Sequence, residues 1–450
     1  MKAAGTGIVP LEAWVAARMG IGGPAPTWEQ IRRYQLEKLQ ESVAWAAAHS
    51  PFYRQRLRNF TGRDLAGLED LRRLPFTTAE DLRQHGPLFL AVSQSDISRV
   101  VTLDSSGTTG QAKRLYFTPD DQEITVGFFR HGMAALTGAG DRVLILLPGE
   151  RSGGVGDLLA SALTRLGAAP IRHGPVGDIS ATLGILEREE VNCLVGTPSQ
   201  VLALARWAET VVGQRFRLKG VLLSTDHVPE AVVAELRRLW DCAVFQHYGM
   251  TEMGLGGGTE CAVHTGYHLH EADFYYEIVD PLTGEALPEG AEGEVVVTTL
   301  TRRGMPLLRY RTGDLSRFLP ERCGCGATLR RLAKITARVG GWVSAGAGRR
   351  FTIADLDEVL FAVGGVIDFT AKVDDLGQAT KLAVSALTAG RPAQDVEAAL
   401  RKALDMVPAI RERRLAGLLA VTVRAVGCDG TLAPALAKRT IIEWKETDGR

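Results

Sequence analysis

The feature that most constrains the fold of this chain is a regular alternation, between residues 141 and 240, of short apolar runs and longer amphipathic stretches. The run at 143–147 is bounded by Pro148 and Gly149, which is typical of a buried strand. Further strands are predicted at 168–171, 191–195 and 219–223, and helices at 155–166, 178–189, 198–212 and 229–240. Because strand–helix–strand units form right-handed crossovers, this order predicts an α/β fold with a largely parallel sheet and flanking helices.

The segments on either side of this alternation have other patterns. Residues 27–49 and 121–136 have the apolar spacing of helices. From residue 274 onwards, aromatic and β-branched runs separated by turn residues predict a β-rich subdomain, with strands at 274–279, 293–298 and 307–310. A glycine-rich passage then precedes a last set of helices and strands. We therefore predict a large N-terminal domain, residues 1–336, and a small, mobile α+β C-terminal domain, residues 337–450.

Length and composition limit the class of protein. A chain of 450 residues is long enough for two or more domains, and 45% hydrophobic with 23% charged residues is typical of a globular protein. The formal net charge of zero argues against a nucleic-acid partner. No apolar run predicts a membrane span, and Glu12 and Arg18 interrupt the stretch where a signal peptide would need an apolar centre. We therefore expect a cytoplasmic protein with small-molecule partners and without a membrane or nucleic-acid partner.

Residues 104–113 are the strongest single indication of a ligand. The loop contains four hydroxyls, two glycines and a lysine. Glycine allows a close approach of the backbone, hydroxyl and backbone N–H groups donate hydrogen bonds, and lysine supplies charge, so such a loop can bind a polyphosphate. It is not a Walker loop, because Lys113 lies three residues beyond Gly110, and no G-x-G-x-x-G is present. By itself, the segment is equally compatible with a solvated turn.

Two later segments place chemically useful side chains near predicted strand ends. Tyr248, Thr251 and Glu252 follow the apolar run at 243–245, and they could respectively stack on a base, bind a phosphate and hold Mg²⁺. Asp314 ends the segment YRTGD, which we expect to end another strand, and its carboxylate could accept hydrogen bonds from two ribose hydroxyls. Together with the loop at 104–113, these residues predict a nucleotide site.

The order of these motifs resembles the adenylate-forming acyl-CoA synthetase superfamily: SSGTTGQAK, YGMTE, YRTGD and a late lysine. Further segments resemble the phenylacetate-CoA ligase branch, namely SPFY at 50–53, LPFTT at 74–78, DLR at 81–83 and RCGCG at 322–326. The resemblance covers about residues 30 to 445 and implies an AMP-forming acid–thiol ligase. Such an enzyme joins a carboxylic acid to the α-phosphorus of ATP with release of pyrophosphate, and then transfers the acyl group to the thiol of coenzyme A with release of AMP.

The resemblance assigns the phosphate and metal contacts. Lys113 would bind the β- and γ-phosphates, Thr251 would contact the α-phosphate, and Glu252 would bind Mg²⁺. The remaining residues of the phosphate loop would be Ser105, Ser106, Gly107, Thr108, Thr109 and Gly110.

The resemblance also assigns the nucleoside contacts. Tyr248, followed by Gly249, would lie against adenine, and Asp314 would bind the ribose. Asp226 keeps the acid of a segment that lies beside adenine in relatives, although STDH stands here where relatives have GAEP. Arg338 matches the family arginine near the ribose and the interdomain hinge.

The catalytic lysine of the family comes from the small C-terminal domain, which moves between the two half-reactions. Lys438 is the best candidate for this lysine, but Ala437 stands where relatives have a glycine, so Lys445 or no lysine remains open. The hinge also departs from the family, because the acidic residues that usually follow the arginine are replaced by Val-Gly-Gly at 339–341. Glycine eases backbone rotation, so we expect the domain movement to survive without the acid.

The chain has six cysteines, too few for a disulfide framework in so long a chain. Cys261, Cys323 and Cys325 with one histidine could supply a tetrahedral, structural Zn²⁺ site, and the histidines on offer are His264, His268 and His270. Some relatives bind zinc through cysteines at these positions, and the resemblance favours His268 as the histidine, with His264 next. Reduced cysteines beside surface histidines are the alternative.

The expected substrates are ATP, coenzyme A and a carboxylic acid, for which an aryl or related acid is the default. Two other functions remain open: adenylation followed by transfer to a carrier-protein thiol or an amine, and non-catalytic binding of a nucleotide or acid. By family analogy, we also expect a homodimer.

Overall fold

The computed structural model describes residues 9–23, 25–103, 112–213, 216–346, 348–433 and 438–444. The chain groups into two compact units, each assembled from separate stretches. The first unit consists of Met1–Ala135, Arg151–Leu166 and His247–Ile335, and the second of Leu136–Glu150, Gly167–Gln246 and Thr336–Arg450. This grouping does not test the predicted domain boundary at 336/337, which stays a prediction.

The first unit begins with helices whose ends are fixed by side chains. Helix Trp28–His49 starts in a capping box, in which Thr27 Oγ1 accepts from the N–H of Gln30 and Gln30 Oε1 accepts from the N–H of Thr27. Ser50 ends this helix and caps the next one. The helices of this unit with eight or more residues are Pro10–Arg18, Trp28–His49, Pro119–Met133 and Val155–Leu166. The helices predicted near 27–49, 121–136 and 155–166 are thereby confirmed.

The described strands of the first unit are mostly antiparallel, as the β-rich prediction requires. One sheet contains Phe274–Val279, Gly293–Thr299 and Tyr310–Ser316 in this order. Arg99–Leu103 pairs with Lys113–Phe117 across the phosphate-loop segment. The remaining strands pair in the order Phe318–Leu319, Arg331–Leu332, Tyr267–Leu269 and Gly258–Thr259, and the last of these pairs with His247 and Tyr248.

The predicted end of the YRTGD strand is wrong. The strand was expected at 307–310 with the motif at its end, whereas it runs over Tyr310–Ser316 and contains the whole segment up to Asp314. The register against Gly293–Thr299 shifts between Glu294 and Val296, and Gly313 has a φ of 75°. Such a bulge turns a side chain out of the regular alternation, and the glycine that makes it reads as a turn in the sequence.

Thr77, from the LPFTT motif, is hydrogen-bonded to the chain around the start of this strand. Its N–H donates to the carbonyl of Arg309 over 3.0 Å, and its carbonyl accepts from the N–H of Arg311 over 2.9 Å. Its hydroxyl donates to the carbonyl of Leu308 and contacts the Tyr53 hydroxyl, which also accepts from the N–H of Leu308. The motifs at 50–53 and 74–78 therefore brace the strand that carries Asp314.

The second unit contains the predicted parallel sheet. Its strands are ordered Ala169–Arg172, Arg142–Ile145, Cys193–Gly196, Gly220–Leu223 and, up to Gln246, Ala243–Tyr248, with parallel pairing throughout. The helices between them are Ile179–Arg188, Pro198–Trp207 and Glu230–Trp240. The alternation read from the sequence is confirmed element by element, and the predicted α/β class with it.

The C-terminal part of the second unit has its own mixed sheet, ordered Ala420–Gly427, Lys381–Thr388, Val366–Val373 and Ile442–Glu443. A hairpin is formed by Trp342–Ser344 and Arg350–Thr352. The helices are Ile353–Leu360, Ala393–Leu404 and Pro408–Leu415, of which the last was not predicted.

Each unit has one main apolar core. The core of the second unit is continuous from the parallel sheet to the C-terminal sheet, because helix Pro198–Trp207 packs beside strand Val366–Val373. Arg206 reinforces this junction by donating from buried guanidinium nitrogens to the carbonyls of Phe361 and Val363. Among the described residues, no helix has both the length and the apolar character of a membrane span.

Candidate active site

Glu252 is the buried carboxylate at the centre of the predicted nucleotide residues of the first unit. It lies in the short turn Thr251–Met253 and is 2% exposed. Lys113 Nζ forms an ion pair with Glu252 Oε1, and the Tyr310 hydroxyl donates to the same oxygen over 2.9 Å. Burial raises the pKa of Glu252, but the Lys113 charge and the hydrogen bonds to the carboxylate, including those from Lys113 and Tyr310, together outweigh burial, so the pKa lies below its usual value. The carboxylate is therefore anionic at neutral pH.

A second hydrogen bond joins the same two motifs. The Tyr248 hydroxyl donates to Asp314 Oδ2 over 3.0 Å, and both side chains are buried. Burial, followed by the nearby carboxylate, raises the pKa of the Tyr248 phenol well above its usual value, so it remains a donor. Because Tyr248 and Glu252 share one segment while Asp314 and Tyr310 share one strand, the two bonds hold YGMTE against YRTGD.

Gly249 has a position that no side chain fits. A Cβ at this position would lie 2.3 Å from the carbonyl oxygen of Leu255 and 2.7 Å from Cε1 of His247. The chain between Tyr248 and the half-buried Thr251 therefore depends on glycine.

Three predicted site residues belong to the second unit. Asp226 lies beyond strand Gly220–Leu223, and its Oδ2 accepts the backbone N–H of Arg439 over 3.0 Å. The neighbouring Lys438 side chain is exposed. Arg338 is exposed in the short strand Ala337–Arg338. The structure thus brings Asp226 to the segment that carries the predicted catalytic lysine.

The remaining predicted residues of the phosphate loop lie outside the described part of the chain: Ser105, Ser106, Gly107, Thr108, Thr109 and Gly110. The alternative lysine, Lys445, also lies outside it. Lys113, directly beyond the loop, is described and contacts Glu252.

Two residues that contact Glu252 were not predicted from the sequence. Tyr310 shares the buried face of its strand with Thr312 and Asp314, so the two-residue period of a strand could have identified it. Arg302 donates from Nη1 to the backbone carbonyl of Glu252 over 2.6 Å and lies over the Phe117 ring. No sequence pattern indicated this arginine.

The four cysteine and histidine residues that we favoured as metal ligands lie together in the first unit. The ligand atoms of Cys261, His268, Cys323 and Cys325 all lie within 4.8 Å of one another. Cys325 Sγ is 3.3 Å from His268 Nε2, and burial lowers the pKa of His268 to about 4, so the imidazole is neutral as a ligand must be. His264 instead places Nδ1 3.3 Å from a carboxylate oxygen of Glu260 and is not part of the cluster.

Comparisons with known proteins identify the family of the chain. The family model of AMP-binding enzymes matches residues 92–301, which include the phosphate loop and YGMTE. The phenylacetate-coenzyme A ligase of Thermus thermophilus is 35% identical over 326 residues, which cover 69% of this chain and 71% of that protein. The phenylacetate-coenzyme A ligase of Escherichia coli is 30% identical over 320 residues, with the same coverage of 69% and 71%.

Solved structures support the fold. The 2-hydroxyisobutyryl-CoA ligase in the postadenylation state superimposes with a TM-score of 0.77 at 22% identity, covering 94% of this chain and 91% of that one. The curated relatives and the family model define the class of the protein: this is an AMP-forming acid–CoA ligase of the adenylate-forming type, as predicted. Within that class, the chain belongs to the phenylacetate-CoA ligase branch of the acyl-CoA synthetase superfamily.

Proposed function

We propose that this protein activates an aryl or related carboxylic acid with ATP and transfers the acyl group to coenzyme A. The observation that carries the proposal is the convergence of three motifs on one carboxylate, because Lys113 and Tyr310 both bind Glu252. The curated relatives named above are phenylacetate-coenzyme A ligases, which favours an aryl acid.

The first half-reaction requires groups that meet negative charge on the phosphates. An oxygen of the acid attacks the α-phosphorus of ATP, and pyrophosphate leaves. Lys113 would supply positive charge to the phosphates, and Thr251 a hydroxyl to the α-phosphate. Glu252 suits Mg²⁺ because it is a buried carboxylate that is ionised at neutral pH, and bound Mg²⁺ would neutralise phosphate charge.

The nucleoside and the second step involve other residues. Tyr248 would lie against adenine, and Asp314 would accept hydrogen bonds from the ribose. Asp226 and Arg338 would complete the nucleotide contacts. Lys438 would reach the reacting carboxylate and α-phosphate during adenylation. In the second half-reaction the coenzyme A thiol attacks the acyl carbon, and AMP leaves.

The direct test is pyrophosphate release from ATP over a panel of aryl, arylacetic and aliphatic acids, with and without coenzyme A, followed by product mass. We expect acid-dependent release of pyrophosphate and an acyl-CoA product. Exchange between ATP and pyrophosphate without an acyl-CoA product would favour a carrier protein or amine as acceptor. No release with any acid would contradict the proposal and leave a non-catalytic binding protein.

A structural Zn²⁺ ion is also part of the proposal. The cluster offers three thiol sulfurs and one neutral imidazole, which is a donor set that tetrahedral zinc favours. The cluster links Cys261, beyond strand Gly258–Thr259, to the loop of Cys323 and Cys325, so a bound ion would cross-link two loops.

Metal analysis and thermal unfolding test the zinc site. Wild type is expected to contain about one zinc ion per chain, and Cys323→Ser is expected to lose it with a fall in Tm. Cys428→Ser, which changes a cysteine of the second unit, is the matched control and should retain zinc. The assignment of the zinc site would be wrong if Cys323→Ser and Cys428→Ser contained equal amounts of zinc. It would also be wrong if wild type purified without a chelator contained no zinc.

Location and assembly complete the proposal. All six cysteines are free, which suits the reducing cytoplasm. A homodimer is proposed from family analogy, and sedimentation velocity of the purified chain tests it.

A further inference from the structure

Arg439 has three polar contacts from one guanidinium within the second unit. Its Nε donates to Asp357 Oδ1 over 2.9 Å, and its Nη1 donates to Asp368 Oδ1. Its Nη2 donates to the carbonyl of Phe369 over 3.1 Å, and the guanidinium lies 4.2 Å from the centroid of the Phe369 ring. Such a side chain is fixed by both hydrogen bonds and packing.

The backbone of the same residue is fixed from a different direction. The N–H of Arg439 donates to Asp226 Oδ2, while Asp226 Oδ1 accepts the N–H of His227. Lys438, the preceding residue, is exposed. The segment is thus held by Asp226 through the backbone of Arg439 and by Asp357 and Asp368 through its side chain, while the lysine side chain is exposed.

The helix that carries Asp357 is itself fastened to the segment after Asp226. Glu358, its next residue, accepts the N–H groups of Glu230 and Ala231 at the start of helix Glu230–Trp240. His227 Nε2 lies 3.6 Å from Glu358 Oε1. Asp357 and Glu358 therefore tie helix Ile353–Leu360 both to Arg439 and to the 226–231 segment.

On the basis of the function proposed above, we propose that Arg439 is a positioning residue for Lys438 in the adenylation step. Its side chain fixes the lysine segment to helix Ile353–Leu360 and strand Val366–Val373, and its N–H fixes the segment to Asp226. The residue that holds the lysine is therefore its immediate neighbour in the chain.

The expected effect follows from the geometry. A misplacement of about 1 Å far from the reacting atoms can cost about 100-fold in rate. Arg439→Met keeps a long apolar side chain between Phe361 and Phe369 but loses both carboxylate bonds. Burial raises the pKa of Asp357 to about 7 although Arg439 lowers it, so loss of the arginine would neutralise the carboxyl rather than leave a buried charge.

The test separates the two half-reactions. Adenylation is measured by exchange between ATP and pyrophosphate, and thioester formation by supplying the acyl-adenylate and coenzyme A. We expect Arg439→Met to lower kcat for adenylation by about 10- to 100-fold with an unchanged KM for ATP and unchanged thioester formation. Arg439→Lys should recover part of the loss. In Lys438→Ala/Arg439→Met, adenylation should be no slower than in Lys438→Ala, because Arg439 acts through the lysine.

A matched control removes a different buried arginine of the same unit. Arg413 donates from Nε to the carbonyl of Ala379 and is 7% exposed. Arg413→Met should lower Tm without changing the ratio of the two half-reactions. If Arg439→Met does not fold, Asp368→Asn, which changes a carboxylate that is 40% exposed, is expected to give a smaller adenylation defect of the same kind.

The outcomes distinguish this inference from the proposed function. If wild type catalyses exchange and Arg439→Met equals it, or if both half-reactions fall together, the positioning role is wrong. Additive losses in the double variant would also overturn it. If wild type catalyses no exchange with any acid, the proposed function itself fails.

Discussion

The two units differ in how they hold buried carboxylates. In the first unit, Glu252 binds Lys113 and Tyr310, and its pKa lies below the usual value. In the second unit, Asp357 shares Arg439 with Asp368 and faces Asp226, and one of its oxygens has no hydrogen-bond partner among the described residues. Its pKa is about 7. One carboxylate is therefore ionised throughout the physiological range, whereas the other titrates within it.

This difference indicates that the two carboxylates have different roles. A group that binds a cation or orients a cationic partner must remain charged, and close pairing achieves this. A carboxylate that is only partly neutralised makes the contact that depends on it sensitive to pH. The following predictions test whether the two regions differ in this way.

The largest effect is expected at Glu252. Glu252→Gln removes the charge that Lys113 pairs with, and we expect adenylation to fall by about 10²- to 10³-fold at every pH from 6 to 9. Exchange between ATP and pyrophosphate, measured over a range of Mg²⁺ concentrations, checks this. Glu277→Gln, which breaks the buried pair with Arg309 in the same unit, should lower stability but retain the rate per folded molecule. A variant Glu252→Gln that retained full activity would contradict the site.

The next effect is the pH dependence of the second region. Asp357 faces Arg439 on one segment and Asp226 and His227 on another, with Glu358 beside it on its own helix. Below its pKa of about 7 the carboxyl is protonated and its bond to Arg439 weakens. We therefore expect adenylation in wild type to rise by roughly tenfold from pH 6 to pH 8, and Asp357→Asn to lack this rise.

Asp357 should also make the free energy of unfolding depend on pH. This free energy should fall as the pH rises, whereas the adenylation rate should increase. The folded pKa of Asp357 is raised from 3.8 to about 7, so its contribution is fully present below about pH 4 and is lost as the pH rises to about 7. Asp357→Asn should flatten this part of the stability profile measured in urea. Asp368→Asn, with its more exposed carboxylate, is the control and should keep both profiles. If the pH profiles of adenylation and of stability were the same in Asp357→Asn as in wild type, Asp357 would not titrate in the physiological range, and the contrast with Glu252 would be wrong.

The smallest effect on activity is expected at Tyr310. Tyr310→Phe removes one hydrogen bond to an ionised carboxylate, which costs about 1.5–3 kcal/mol of stability. The ion pair with Lys113 remains, so adenylation should fall by less than about tenfold. Tyr276→Phe removes a bond to the neutral carbonyl of Gly257 and should cost less stability in the same urea titration. If Tyr310→Phe lost as much activity as Glu252→Gln, the hydrogen bond from the tyrosine, rather than the ion pair with Lys113, would be the contact that positions the Glu252 carboxylate.

The parallel sheet was predictable because each of its strands is indicated by a short, continuous stretch of the sequence. Each run such as 143–147 combines β-branched or aliphatic residues with flanking turn residues, and the chain order of such elements restricts the topology. The motifs that converge on Glu252 and the cysteine pair at 323 and 325 were also readable, because their chemistry is carried by residue type and spacing.

The contacts that complete these sites were not readable, because they join distant positions. Tyr310 and Glu252 are 58 residues apart, and Arg439 and Asp226 are 213 residues apart. The position of Asp314 inside its strand was also missed, because Gly313 beside the register shift reads as a turn in the sequence. No sequence pattern indicated Arg439, since only the three-dimensional arrangement of Asp357 and Asp368 distinguishes it from a surface arginine.

The bracing of the YRTGD strand by Thr77 and Tyr53 has a practical consequence for protein engineering. The region matched by the AMP-binding family model begins at residue 92, so a shortened gene cut at that boundary would retain most recognisable motifs. It would nevertheless delete both braces and leave the N–H of Leu308 and the N–H of Arg311 without their partners. Transferring this adenylation module into another enzyme therefore requires the segment that precedes residue 92, from Ser50 onwards.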